Sequence, residues 1–245
     1  MKRGAWILIG FALIWVVANL PASLVRYFLD ESQVTLVAPQ GTLWNGSATL
    51  ATNLGLTASC AWQTSIWQPG LTLRLRHAES DLRARAQFGL SQAKVTLSGS
   101  VDALSLQPLL QRYDLFLTGG FDLAESYWTV QPSGPQLDQP GTIQWSGGNV
   151  RYILANKLYT AQMPPLDAHI SSRQPEQLQA AVVPAGQRHA TAPPGAPNSP
   201  LLVLRLMPGG SVYVGVSRGL LRLANFPWQG NEADSQLIFE VERSL

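Results

Sequence analysis

Gly215-Val216-Ser217-Arg218-Gly219 is the stretch whose spacing matches a nucleophile motif, the G-x-S-x-G elbow that presents a serine hydroxyl above an α/β-hydrolase sheet. In that fold the histidine that takes the serine proton follows the serine in the chain. Here His77, His169 and His189 all precede it, and the flanking sequence lacks alternating strand and helix patterns. The match is read as coincidence. The same three histidines are far apart and have no Cys or His neighbour at metal-ligand spacing, so no zinc site is expected. Cys60 is the single cysteine, which excludes an internal disulfide. It could act as a nucleophile only beside a histidine, and otherwise serves as a small buried hydrophobe. Glu79 with Asp81, and Glu240 with Glu242, sit two apart, which on a strand places two carboxylates on one face. A solvated strand face explains them more simply, and that is the reading adopted. No Walker lysine motif and no G-x-G-x-x-G run is present. The expectation is therefore no catalytic residue, no cofactor and no metal.

The chain has 245 residues, of which 46% are hydrophobic and only 13% charged, with 21 Gly and 17 Pro. Low charge with this much Gly and Pro argues against helical bundles and coiled coils, and the hydrophobic share argues against disorder. Three of the 17 Lys and Arg lie in the first 27 residues, so 14 remain against 15 Asp and Glu. A nearly neutral body without a basic stripe argues against nucleic acid as a partner. Two of the eight tryptophans lie near the N-terminus; Trp44, Trp62, Trp67, Trp128, Trp145 and Trp228 are scattered, as core residues or as a ligand surface.

Gly4 to Val25 is 22 residues without a charge. As a helix it reaches ~33 Å, enough to cross a bilayer core of ~30 Å. Lys2 and Arg3 precede it, and Asp30 and Glu31 follow. The positive-inside rule then keeps residues 1–4 in the cytoplasm, makes 5–27 a transmembrane helix and exports 28–245. A cleaved signal peptide ending at Val16-Val17-Ala18 is the alternative. The apolar run continues past Ala18, and only three residues precede it, which favours the anchor.

Elements able to position any site read as strands. Val34-Thr35-Leu36-Val37, Ser47–Thr52, Leu71–Arg76, Asp81–Phe88 and Val95–Val101 alternate with period two. Leu71, Leu73 and Leu75 share one face; Thr72, Arg74 and Arg76 share the other. Leu115–Leu117, Gly120–Ala124, Leu201–Leu206, Ser211–Val216 and Gln236–Glu242 continue the pattern, with a short helix near Leu104–Arg112. Asn45-Gly46-Ser47 fits a glycosylation site, but Asn-Gly is also the favoured two-residue hairpin turn, and the turn is the reading adopted. Gly41-Thr42-Leu43-Trp44 echoes Gly141-Thr142-Ile143-Gln144-Trp145, either as two related sheet segments or by chance. Residues 184–200 hold five prolines and read as a flexible loop.

One membrane helix followed by a strand and Val37-Ala38-Pro39-Gln40-Gly41-Thr42-Leu43-Trp44-Asn45-Gly46-Ser47-Ala48 resembles protein N of the bacterial type II secretion system (GspN) over the whole chain. Ala61-Trp62-Gln63 is similar to that family's next Trp-containing strand, and residues 184–200 look like a variable insertion. The resemblance implies a mainly β fold: a single transmembrane helix, then a curved antiparallel sheet, half-barrel or sandwich-like, in one or two repeats. It also implies a non-enzymatic inner-membrane accessory subunit whose periplasmic body contacts the secretin or the inner-membrane platform. Gly41, Thr42, Leu43, Trp44 and Gly46 match the family's motif, with a structural role: Gly41 and Gly46 in turns, Leu43 or Trp44 packed in the sheet. A more distant similarity to AsmA-like envelope proteins implies a second reading, a trough that holds phospholipid.

Overall fold

A computed structural model describes residues 15–28, 34–53, 55–65, 68–132, 134–174, 177–187, 199–207 and 210–244. The alternating segments become strands β1 (Val34–Gly41), β2 (Asn45–Thr52), β3 (Thr57–Ser65), β4 (Gly70–His77), β5 (Ser80–Phe88) and β6 (Ala93–Asp102). After a helical stretch over Ala103–Tyr113 come β7 (Leu115–Leu117), β8 (Gly120–Gln131), β9 (Gly134–Leu137), β10 (Gly141–Trp145), β11 (Gly148–Leu154) and β12 (Lys157–Met163). β13 (Leu166–Gln174), β14 (Gln177–Pro184), β15 (Leu202–Leu206), β16 (Ser211–Ser217), the helix Arg218–Leu223 and β17 (Leu237–Ser244) complete the chain.

The large sheet follows the order β1-β2-β3-β4-β5-β6-β8-β10-β13-β14-β15-β16-β17, with β9 added beside β8, and β12-β11-β7 form a second, small sheet. Every pairing is antiparallel. Among the described residues the sheet does not close: β1 and β17 each have one neighbour.

Register makes one face of this sheet continuously apolar. Ala48, Cys60, Leu75, Leu82, Gly99, Leu123, Ile143, Ala168, Val182, Leu202, Val216 and Phe239 are successive cross-strand partners from β2 to β17. Two covers bury parts of that face. At the β2–β3 side, Ala22 is 2% exposed and joins Ala48, Cys60 and Trp62. At the other side, Val150, Ala161 and Met163 of the small sheet and Leu220 and Leu223 of the helix pack on Trp145, Leu166 and Leu201.

Two readings of the N-terminal region change. Among the described residues no helix is long and apolar enough to cross a membrane, and residues 5–14 of the expected span lie outside them. The helix at Trp15–Ala18 does not run on to Tyr27, because Pro21 bridges to Thr42 and Ala22–Phe28 form a 3-10 helix packed on β1 and β2. The hairpin turn is also displaced. Asn45 and Gly46 already belong to β2, and the turn is Thr42-Leu43-Trp44, opened by Gly41 at φ 86° and closed by Thr42 N–H donating to Asn45 O (2.9 Å). Residues 188–198 of the proline-rich segment lie outside the described residues; Pro184 ends β14 opposite Leu166.

Candidate functional site: an open apolar face and a free sheet edge

The residues singled out for chemistry do not converge. Ser217 ends β16 with ordinary extended backbone (φ −84°, ψ 160°), is 1% exposed, and its Oγ accepts from Leu220 N–H (3.4 Å) to cap the helix. His169 is three strands away in the row His169, Ala181, Val203, Gly215, about 14 Å at the usual strand spacing. His189 lies outside the described residues. Cys60 is buried, and burial pushes its thiol pKa up, away from the reactive thiolate. His77 is exposed, two residues beyond Leu75, the cross-strand partner of Cys60. Among the described residues no group of three or more His, Cys, Asp or Glu is placed to hold a metal ion.

The carboxylate pairs take different surroundings. Glu79 sits in the turn before β5, while Asp81 on β5 accepts from Arg74 Nε (2.8 Å), and Arg74 Nη2 and Arg83 lie against its second oxygen. Arg74 and Arg83 are direct cross-strand partners, an arrangement of like charges that Asp81 makes tenable. The Arg74 hydrogen bond comes first among the causes that hold the Asp81 carboxyl well below the usual carboxylate range. Arg76 and Arg85 lie on the same face, so β4 and β5 carry a local basic patch that the neutral overall charge conceals. Glu240 and Glu242 of β17 accept from Tyr213 OH (2.7 Å) and Ser211 Oγ (2.9 Å) of β16.

The motif residues organise the β1–β2 corner. Leu43 N–H donates to Leu20 O (2.8 Å) and Trp44 Nε1–H to Val17 O (2.8 Å), so this turn clasps the N-terminal segment. Gly46 faces Trp62, and an added Cβ would meet that indole and come within 2.7 Å of Gln40 O. Trp62, which carries no motif role in the sequence, is the corner's anchor: its Nε1–H donates to Leu43 O (3.1 Å) and Thr42 O (3.3 Å). Trp145 repeats the device, donating to Thr118 O (3.1 Å) beside Gly119 at φ 95°. Yet Gly141–Trp145 is a central strand, whereas Gly41–Trp44 is a strand end and turn, so the sequence echo does not mark equivalent elements.

Two features remain that present surface to a partner. Between the two covers the apolar face is open among the described residues: Leu73, Leu75, Leu82, Ala84, Leu97 and Leu123 border a cavity of about 170 Å³ and are only half-buried. At the sheet's end, β17 alternates Phe239 and Val241 (56% exposed) with Glu240 and Glu242, and among the described residues no strand lies beside its outer backbone groups. β1 is a poorer edge, interrupted by Pro39, by Ala38 at φ 50° and by a register shift between Val37 and Gln40. Comparison with protein-family models, with curated proteins and with solved structures gave no match.

Proposed function

We propose that the chain is a non-enzymatic, single-pass inner-membrane component of a type II secretion system, its periplasmic body a curved open sheet that joins the secretin or the inner-membrane platform. The carrying observation is the free β17 edge in an antiparallel sheet that does not close. An unpaired strand offers a row of N–H and C=O groups to a strand of another chain, and its side chains select which strand fits. Exposed Phe239 and Val241 on one face and Glu240 and Glu242 on the other favour a strand that alternates apolar and basic residues.

Proline at Glu240 or at Val241 tests this reading, because the N–H groups of adjacent strand residues point to opposite sides. The variant whose N–H faces outward keeps the fold and loses partner binding and secretion. Normal secretion with both variants would contradict strand addition.

A second reading is supported by the uncovered apolar row: a trough for the acyl chains of a phospholipid, as in AsmA-like proteins. The half-buried leucines 73, 75, 82, 97 and 123 favour it. Lipid retained at fixed stoichiometry through purification supports this reading, and lipid-free protein contradicts it.

A further inference from the structure

An antiparallel sheet sends alternate connections to opposite ends, and here the two ends differ in chemistry. Among the described residues, one end holds the turns Thr42-Leu43-Trp44 and Gly89-Leu90-Ser91-Gln92 together with Gln68, Pro69, Pro132, Met207 and Gly210. None of these is charged, although turns are ordinarily the polar part of a sheet. They carry Leu43, Trp44, Leu90 and Met207 instead. Connections at the opposite end hold Glu79, Arg112, Asp114, Arg222, Glu232 and Asp234.

The strand ends beside these apolar turns continue the pattern. Leu90 is fully exposed at the β5–β6 turn, and Phe88 (52%) and Val130 (40%) flank it as the partners of Ala93 on either side. Lys94 and Arg243, both exposed, stand just behind this rim. The N-terminal segment arrives at the same end, held there by the Pro21–Thr42 bridge and by the bonds from Leu43 N–H and Trp44 Nε1–H.

We infer that this end of the sheet is a membrane-contacting rim, with Phe88 and Leu90 buried in the headgroup–acyl boundary of the bilayer that the N-terminal segment enters. The inference rests on the reading of the N-terminal segment as a membrane anchor. Large apolar and Trp side chains backed by Lys and Arg are the composition that partitions into that boundary. Continuity with an uncharged 22-residue run selects a bilayer over a protein surface as the occupant. A rim seated in this way adds a second membrane contact to the single anchor and fixes the tilt of the sheet, so that β17 is presented in one orientation.

The test uses the full chain with Cys60→Ala and single cysteines introduced by Leu90→Cys, Glu79→Cys or Ile9→Cys. Each is labelled with bimane and reconstituted in phosphatidylethanolamine–phosphatidylglycerol nanodiscs with or without brominated acyl chains. Bromine quenching of about twofold or more at positions 90 and 9, with none at 79, is the expected result. Quenching at 9 but not at 90 overturns the rim and leaves the anchor standing. Quenching at neither position overturns both, and equal quenching at 90 and 79 overturns an end-specific contact.

Discussion

Gly46 and Trp62 face each other across the β2–β3 pair, and no side chain fits between them. The indole occupies the space a Cβ would take while its N–H bonds the carbonyls of Leu43 and Thr42. One aromatic residue thus sets the turn that clasps the N-terminal segment. Gly46→Ala is expected to destabilise by about 1–3 kcal/mol through overpacking, and Trp62→Ala by about 3–5 kcal/mol through the cavity it leaves. Urea denaturation of the full chain in detergent measures both.

Asp81 neutralises the facing pair Arg74 and Arg83. Its pKa is lowered on folding, so its contribution is present above the usual carboxylate range and lost only as pH falls through the folded-state value. Its contribution is accordingly flat from about pH 5 to pH 8. Asp81→Asn should lower the thermal midpoint at low salt, with partial recovery at about 0.5 M NaCl as the arginines are screened.

Ser217 is a helix cap with a long hydrogen bond, not a nucleophile held against a base. Ser217→Ala is expected to cost about 0.5–1 kcal/mol and to leave secretion unchanged at normal protein levels. Loss of secretion with normal stability would restore a hydrolase reading.

Openness of the apolar face has a stability signature. Leu166 is 8% exposed beneath the small sheet, whereas Leu97 is half-buried on the open stretch. Leu166→Ala is expected to cost about 2 kcal/mol or more, and the same truncation at Leu97 less than about 1.5 kcal/mol. The reverse ranking would mean that Leu97 is covered.

Strands with clean alternation, such as β4 with its three leucines and two arginines, were legible from sequence, and so was the short helical stretch before β7. β3 was visible only through Ala61-Trp62-Gln63, because Thr57–Ser65 is built mostly of small and polar residues with little hydrophobic contrast. β11 to β14 were missed for a related reason: Arg151 and Tyr152, or His169 and Ser171, blur the period that cross-strand pairing later imposes. Asn45-Gly46 misled because its two-residue preference competes with Gly41, and the chain turns at the glycine that has positive φ and a neighbour to clasp. The polar face was half legible: alternation placed Arg74 and Arg76 together, but only register brings Arg83 and Arg85 beside them. No local pattern could reveal the unbroken apolar row from Ala48 to Phe239, which exists only through eleven pairings.

Photo-crosslinking in intact cells from positions 239–243 of β17, with matched sites at 73, 82 and 97 on the open face, tests the proposed function most directly. Strand addition requires protein crosslinks from β17 to a secretin or platform subunit, absent from the open-face sites and lost in the outward-facing proline variant. Crosslinks chiefly to phospholipid from 73, 82 and 97, with none to protein from β17, would contradict it and make the chain a lipid carrier.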